Sequence, residues 1–353
     1  MRYKLFGATG LRVSEVALGT GTFGTRAGSG ADKVQSRRLF DAFVEAGGNF
    51  LDCADGYQGG EAETFLGEFI KPDRDNVVLS TKYTTGLGER SILKTGNSRK
   101  AMIHSLEQSL KRLQTDHVDV FWVHFADHVT PVDEILRAFD DLVRAGKVRY
   151  VGFSDFPAWR ISRAATMAEL RGWAPVAGVQ LEYSLAERSA ERELIPMASA
   201  LGLAVVVWSA LGGGVLTGKY RRGESGRRDT GSGAGAIRRM GPEQEARVFE
   251  AVEATARELG ASLAQVAIAW VRARADAWGA CFIPIIGSRT VEQLADNLAA
   301  VDVSLSDGQL ARLNKASEIA LGFPHEFIQG DTLLSVQSGG FWDRLDRPRR
   351  GVP

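Results

Sequence analysis

The chain has 353 residues, of which 44% are hydrophobic and 24% charged, a globular composition that excludes disorder along the whole length. Its 43 Lys and Arg residues balance 43 Asp and Glu residues, which argues against a dedicated nucleic-acid-binding protein. Two cysteines exclude a disulfide framework, and the sequence has neither a signal-peptide core nor a membrane-spanning run. We therefore expect a soluble cytoplasmic protein without membrane or nucleic-acid partners, of a size typical of enzymes.

Short apolar runs alternate with longer amphipathic segments along most of the chain. The runs are nearly continuous in apolar residues, as expected of strands buried on both faces. The segments between them repeat apolar residues at three and four positions, which is typical of helices with one buried face. The predicted strands span residues 16–20, 49–53, 77–81, 118–123, 150–153, 176–180, 204–208 and 282–286.

Eight strand–helix units predict a single (β/α)8 TIM barrel over residues 1–353 rather than two domains. Residues 3–14 predict an N-terminal β-hairpin that closes the barrel bottom, and residues 260–275 predict an extra helix before the last strand. Further helices are expected near the C-terminus. The Gly- and Arg-rich segment 212–241 is predicted to be a mobile loop, and 318–353 a tail of undetermined role.

Two short motifs suggest other nucleotide-binding folds, but the residues around the motifs do not fit those folds. Residues 19–24 match G-x-G-x-x-G after a strand, but the next helix begins only near Asp32, whereas a Rossmann domain needs a helix directly at the third glycine. Residues 7–10 resemble the glycine motif of short-chain reductases. That family also carries a Tyr-x-x-x-Lys pair, and no Tyr in this chain has Lys four positions later.

Polar residues follow successive predicted strands at their carboxyl ends, where catalytic groups of a barrel lie. Asp52 ends the second strand, Tyr57 follows it, Lys82 comes after the third and His124 after the fourth. Taken singly, Lys82 fits a solvated strand end and His124 a core histidine. Their joint occurrence on successive strands favours an active site.

The segments that contain these residues resemble the aldo-keto reductases. The similarity lies in residues 18–24, 52–57, 80–82, 118–124, 146–154, 179–183 and 284–289, and it extends in the order of that family to Asn297. The resemblance implies an eight-stranded barrel that binds NADPH in an extended form and reduces small-molecule aldehydes or ketones. Trp208 stands where an aromatic residue stacks on the nicotinamide, as in the branch that resembles the potassium-channel β-subunits.

The resemblance implies that Tyr57 is the general acid. Hydride transfer to a carbonyl leaves negative charge on oxygen, so a positioned acid must supply a proton. Lys82, oriented by Asp52, is expected to lower the pKa of the phenol, and His124 to hold the carbonyl oxygen.

The resemblance also assigns a cofactor site. Asp155 departs from the asparagine usual at that position, and Ser288 with Arg289 stands where the 2′-phosphate binds, which favours NADP(H) over NAD(H). The expected cofactor residues are Thr20, Gly21, Asp52, Ser154, Asp155, Gln180, Trp208, Ser209, Leu211, Gly213, Lys219, Gly287, Ser288, Arg289, Gln293, Asp296 and Asn297. We expect Phe23, Tyr57 and Phe125 to line the substrate pocket, and no metal site.

Two other functions remain open at this stage. An NADP(H)-binding redox sensor or regulatory module with little turnover would keep the same cofactor residues. A Schiff-base aldolase would use Lys82 as its nucleophile and would not need Ser288 and Arg289. The identity of the substrate, the oligomeric state and the physiological direction of the reaction do not follow from the sequence.

Overall fold

The computed structural model describes residues 1–28, 30–88, 90–224 and 240–346. Eight parallel strands form a closed barrel in chain order, and a separate antiparallel pair precedes them. The strands are β1 (Tyr3–Leu5), β2 (Arg12–Ser14), β3 (Ala17–Gly19), β4 (Phe50–Asp52), β5 (Val78–Tyr83), β6 (Val118–Val123), β7 (Val148–Ser154), β8 (Val176–Glu182), β9 (Ala204–Trp208) and β10 (Phe282–Ile286). The predicted (β/α)8 TIM barrel is confirmed, and each of the eight predicted apolar runs is one of its strands.

Helices surround the barrel, and their ends carry the expected capping signals. Ser262 caps the extra helix before the last strand, and Gln265 bonds back to the cap, which forms a capping box. The helices are α1 (Lys33–Glu45), α2 (Glu61–Ile70), α3 (Arg99–Leu113), α4 (Val132–Arg144), α5 (Ala158–Arg171), α6 (Leu194–Ala200), α7 (Pro242–Leu259), α8 (Leu263–Trp278), α9 (Val291–Leu298), α10 (Asp307–Ala316), α11 (His325–Ile328) and α12 (Asp331–Gln337).

The β1–β2 hairpin closes the bottom of the barrel, as predicted. Phe6, between the two strands, is fully buried, and its ring lies edge-on to Phe50 at 5.8 Å and to Trp122 at 6.1 Å. Gly152 on β7 leaves the space that Trp122 fills, since a Cβ there would lie 2.4 Å from the indole. The barrel interior below the strand ends is therefore packed with aromatic and aliphatic side chains.

The loop after β3 does not form a Rossmann phosphate site. Helix α1 begins at Lys33 with Asp32 as its N-cap, so the third glycine of the motif is separated from the helix. Gly24 instead donates its N–H to the carbonyl of Ala31 at 2.8 Å. The Rossmann interpretation is thus excluded by geometry.

Part of the predicted Gly- and Arg-rich loop is folded into two 3₁₀ turns, Gly212–Thr217 and Lys219–Arg222. Its residues 225–239 lie outside the described residues, as do residues 347–353 of the tail.

Candidate active site

The carboxyl ends of the barrel strands bring the four predicted catalytic residues together. Asp52 ends β4, Lys82 lies near the end of β5, and His124 directly follows β6. Tyr57 opens the 3₁₀ turn Tyr57–Gly60 between β4 and α2. Because β4, β5 and β6 are neighbours in the barrel, their ends place these side chains on one side of its mouth.

Lys82 is the centre of this group. Its ammonium donates to Asp52 Oδ2 at 2.6 Å, to the carbonyl of Cys53 at 2.8 Å and to the Tyr57 hydroxyl at 3.1 Å. The side chain is fully buried. All three ammonium protons therefore have acceptors, which fixes the position of Nζ.

The Asp52 carboxylate is also fully engaged. Its Oδ1 accepts from Ser80 Oγ at 2.9 Å and from Gln180 Nε2 at 2.9 Å, while Oδ2 holds Lys82. Gln180, a predicted cofactor residue, thus lies in the barrel beside the catalytic group. Such a fully paired ion pair is the condition under which buried charges are tolerated.

Burial and charge act in opposite directions on the pKa values of this group. Burial is the largest influence on the pKa of Lys82 and acts to lower it, but the charges and hydrogen bonds of Asp52 and Tyr57 together hold that pKa above its usual value. Burial raises the pKa of the Tyr57 phenol above its usual value, and the Lys82 ammonium opposes this only in part. Lys82 thus acts to lower the pKa of Tyr57, as expected, but in the free protein desolvation of the phenolate outweighs the nearby positive charge.

His124 faces Tyr57, with ring centroids 5.9 Å apart in an edge-on arrangement. Burial lowers the pKa of His124 to about 3, and the Lys82 ammonium acts in the same direction. The imidazole is consequently neutral at physiological pH. Its Nδ1 is buried and has no hydrogen-bond partner within the described part of the chain.

The opposite side of the mouth, at the ends of β7 to β9, carries two carboxylates. The Trp208 indole reaches across β8 and donates to Asp155 Oδ1 at 3.1 Å, and Ser154 Oγ donates to Asp155 Oδ2 at 3.1 Å. Desolvation raises the pKa of Asp155 to about 6 and that of Glu182, at the end of β8, to about 8; Glu187 and Asp155 add to the effect on Glu182. Ionisation of both carboxylates is thus less favourable than in water.

The predicted substrate-pocket residues do not all reach the mouth. Phe125 is 42% exposed beside His124, with ring centroids 5.3 Å apart. Phe23 is completely buried and its ring lies edge-on to Phe69 of α2 at 6.3 Å. The placement of Phe23 in the pocket is therefore wrong: the loop after β3 turns this side chain outward, into the core between barrel and helices.

The loops after β3 and β10 lie side by side around the predicted 2′-phosphate site. Thr20 donates to the carbonyl of Asp52 at 2.9 Å, and the carbonyl of Ser288 accepts from Thr22 at 2.8 Å. Asn297 Nδ2 donates to Ser288 Oγ at 3.2 Å, while the neighbouring Arg289 and Gly287 are exposed. Gly21 lies against the Tyr57 ring, since a Cβ there would be 3.7 Å from it.

Two further predicted cofactor residues, Gln293 and Asp296, already have protein partners. Gln293 Oε1 accepts from the backbone of Arg289 at 3.0 Å. Both oxygens of Asp296 accept from the N-terminus of α8, from Ser262 at 2.9 Å and from Gln265 at 2.7 Å.

The glycine-rich turn after β9 holds the remaining predicted cofactor residues. Gly212, Gly213 and Gly214 have φ values of 55°, 64° and 93°, which leaves a turn without side chains. A Cβ on Gly214 would lie 2.8 Å from Lys219 Nζ, so the ammonium lies against the turn backbone. Ser209 and Leu211, at the start of the turn, are half-buried.

Residues 15–318 match the model of the Aldo/keto reductase family. The chain belongs to the aldo/keto reductase family. It is 35% identical to norsolorinic acid reductase of Aspergillus flavus over 336 residues, covering 92% of this chain and 83% of that protein. It is 36% identical to aryl-alcohol dehydrogenase [NADP(+)] of Phanerodontia chrysosporium over 337 residues, 90% and 86% of the two chains. An uncharacterised oxidoreductase of Bacillus subtilis is 39% identical over 324 residues, 89% and 95%.

This aldo/keto reductase is accordingly an oxidoreductase. Small-molecule carbonyl compounds are substrates that fit its family. Across the described residues, no helix is long and apolar enough to cross a membrane, and no group of three or more His, Cys, Asp or Glu side chains is arranged to hold a metal ion.

Three acidic residues near the site of this aldo/keto reductase were not predicted from the sequence. Asp55 and Glu63 are buried beside the Tyr57 segment, and Glu182 lies at the mouth two residues after Gln180. The spacing of Glu182 from Gln180 was a usable signal, because alternate residues of a strand share a face. Asp55 and Glu63 had none, since their partners come from β5 and α3.

Proposed function

We propose that this protein reduces aldehyde or ketone carbonyls to alcohols with NADPH, and that Tyr57 is the general acid. The observation that carries the proposal is the hydrogen-bonded chain from Asp52 through Lys82 Nζ to the Tyr57 hydroxyl, with contacts of 2.6 and 3.1 Å. A chain that joins a phenol to a buried ion pair suits proton transfer rather than packing.

The raised pKa of Tyr57 suits reduction. The phenol keeps its proton at neutral pH, so the free protein already holds the proton that the product alcohol needs. As that proton leaves, the Lys82 ammonium donates its hydrogen bond to a phenolate instead of a phenol, which strengthens the bond when charge develops.

His124 binds the carbonyl oxygen in this proposal. With its pKa lowered to about 3, it remains a neutral imidazole that donates one N–H and does not compete with Tyr57 as the acid. Its place edge-on to the Tyr57 ring allows both groups to meet a single oxygen atom.

The residues fit a dinucleotide phosphate. The bare turn Gly212–Gly214 with Lys219 Nζ against it suits a pyrophosphate, and the exposed Arg289 beside Ser288 suits a further phosphate. When bound, NADPH supplies the hydride. Ser154, Asp155 and Gln180 would hold its carboxamide, with Trp208 against the ring.

We propose an aromatic carbonyl compound as the substrate. Apolar side chains project from the loops after β5 and β6, with Ile92 exposed by 92%, Phe125 by 42% and Val129 by 82%. A relative at 36% identity is named aryl-alcohol dehydrogenase [NADP(+)]. Phe125 beside His124, with exposed apolar side chains elsewhere on these two loops, suits a flat aryl ring with one carbonyl.

The test follows NADPH absorbance with an aryl aldehyde, comparing the native protein with Tyr57→Phe at neutral pH. We expect turnover to fall by about 10²–10⁴-fold in the variant, the usual contribution of a general acid, while NADPH binding persists. Undiminished turnover in Tyr57→Phe would contradict the assignment. NADPH binding without turnover of any aldehyde or ketone by the native protein would favour the redox-sensor function instead.

A further inference from the structure

The Tyr57–Lys82 contact joins two separately built segments of the chain. Lys82 lies within β5, whereas Tyr57 lies beyond the end of β4. The last residue pair of the β4–β5 ladder is Asp52 with Ser80, and beyond it the backbone N–H groups of Cys53 and Asp55 still donate to β5. After Tyr57 the backbone takes left-handed conformations, with φ of 51° at Gln58, 62° at Gly59 and 88° at Gly60. Two glycines do not hold a turn rigidly by themselves. The Gln58 side chain ties this turn to Gly21 and Ala27 in the loop after β3, so the position of the phenol relative to β5 depends on other contacts.

Asp55 makes the first of these contacts, two residues before Tyr57. Its carboxylate is 1% exposed and accepts from Thr85 Oγ1 at 2.6 Å and from Ser105 Oγ at 2.9 Å. Its backbone N–H also donates to the carbonyl of Lys82 at 2.9 Å. Gly56 permits this approach, since a Cβ there would lie 2.5 Å from Thr85 Oγ1.

Glu63 makes the second contact, six residues after Tyr57, in the first turn of α2. It is completely buried, and it accepts from Thr81 Oγ1 at 2.5 Å and from Arg112 Nε at 2.7 Å. Burial raises the pKa of both Asp55 and Glu63, and their hydrogen bonds oppose that rise.

The two carboxylates bracket the catalytic contact. Thr81 precedes Lys82 directly in β5, and Thr85 follows it by three residues in the loop after that strand. Each carboxylate therefore ties the chain around Tyr57 to a residue on a different side of Lys82. We propose that Asp55 and Glu63 are positioning residues that set the distance between the Tyr57 hydroxyl and Lys82 Nζ. The inference rests on the proposed function of Tyr57, and neither carboxylate touches substrate or cofactor in it.

The principal test removes the Thr85 hydroxyl with Thr85→Val, which keeps the side-chain shape. We expect kcat for aryl aldehyde reduction to fall about 10–100-fold, as for a catalytic group displaced by about 1 Å, with Kd for NADPH unchanged. Thr85→Ser restores the hydroxyl and is expected to restore kcat. Thr255→Val is the matched control, because Thr255 is a buried threonine in α7, remote from the site.

A double-mutant cycle separates positioning from general stability. In a Tyr57→Phe background, Thr85→Val should cause no further fall in kcat, because the group that it positions is already absent. A second, multiplicative fall would overturn the proposal. So would a Thr85→Val protein with a lower Tm and native kcat, since that result would assign Asp55 to stability alone.

Hydrogen exchange tests the proposal without reference to turnover. Amides of residues 53–60 should exchange faster in Thr85→Val and in Thr81→Val than in the native protein, and at the native rate in Thr255→Val. Unchanged exchange in both variants would overturn the proposal. If Thr85→Val does not fold, Ser105→Ala removes the other bond to the Asp55 carboxylate and carries the same expectations.

Failure of the proposed function would give a different result from failure of the positioning role. It appears as native turnover in Tyr57→Phe, whereas failure of the positioning role appears as native turnover and native exchange in Thr85→Val while Tyr57→Phe is inactive.

Discussion

The two sides of the barrel mouth are built differently. At the ends of β4 and β5, the charged groups Asp52, Lys82 and Glu63 are at most 1% exposed and all have hydrogen-bond partners. At the ends of β7 to β9, Asp155 is exposed and Glu182 half-buried as whole residues, and partial desolvation of their carboxylates raises the pKa of each. On the first side, the charged groups already have their hydrogen-bond partners in the free protein. On the second side, the carboxylates would be stabilised by a ligand that donates N–H or O–H hydrogen bonds.

This contrast fits the proposed function, in which the β4–β5 side transfers a proton and the β7–β9 side binds the cofactor. A proton chain works only if its distances are set in advance, so the β4–β5 side gains from rigid pairing. A cofactor-binding surface must release and rebind its ligand, so the β7–β9 side tolerates carboxylates whose ionisation is disfavoured until a ligand binds. The following three predictions test the two sides in turn.

The largest effect is expected from Lys82→Met on the β4–β5 side. The Asp52 carboxylate would lose its cationic partner in a buried site, which costs about 3–5 kcal/mol of unfolding free energy, and turnover would be lost. Denaturant unfolding measures the first effect and NADPH oxidation the second. The double variant Lys82→Met with Asp52→Asn should recover stability but not turnover. Recovery of turnover there would show that the ion pair is structural only.

A smaller effect is expected from Asp155→Asn on the β7–β9 side. With a pKa of about 6, Asp155 is protonated below that pH and ionised above it. If the ionised form accepts the carboxamide N–H of NADPH, native affinity should tighten by about fivefold as pH rises from 5 to 7, the difference between a charge-assisted and a neutral hydrogen bond.

The 2′-phosphate of NADPH titrates near the same pH, so titration calorimetry must compare proteins rather than pH values alone. The Asp155→Asn variant should retain only the phosphate-dependent part of the change. Asp116→Asn, at a carboxylate whose side chain is 94% exposed before β6, is the control and should follow the native curve. Identical curves for all three proteins would exclude Asp155 from cofactor binding.

The smallest effect is expected from Trp208→Phe. Loss of the indole N–H removes a hydrogen bond that lowers the pKa of Asp155, so the pH midpoint of NADPH binding should move upward. Folding stability should change by less than about 1 kcal/mol, because the bond lies at the solvent-exposed mouth. Trp159→Phe, at a tryptophan that is 66% exposed, should change neither quantity. An unmoved midpoint in Trp208→Phe would show that the indole does not act on Asp155.

The barrel could be predicted from the sequence because a strand buried on both faces is apolar along nearly its whole length. Residues 118–123 and 204–208 are almost wholly apolar, and both are barrel strands with those bounds. Strand ends then bring Asp52, Lys82 and His124 together by topology alone. No knowledge of side-chain packing was needed for that step.

What the sequence did not predict depends on where a loop turns. Phe23 follows a strand as closely as Tyr57 does, yet the loop after β3 buries it against Phe69. The pKa of Tyr57 depends on the balance between burial and one ammonium group, which no spacing reveals. The bonds of Asp55 reach Ser105, fifty residues later in the chain, so only the folded structure pairs them.

The closed floor of the barrel limits how protons reach the catalytic group. Below Lys82 the interior is filled by the buried side chains of Phe6, Phe50, Trp122 and several aliphatic residues, which are poor proton carriers. In the proposed function, Tyr57 would therefore recover its proton from the mouth. If a bound ligand covers the mouth, the proposed reaction has one proton available for each turnover, and the mouth must open again before Tyr57 can be protonated for the next one.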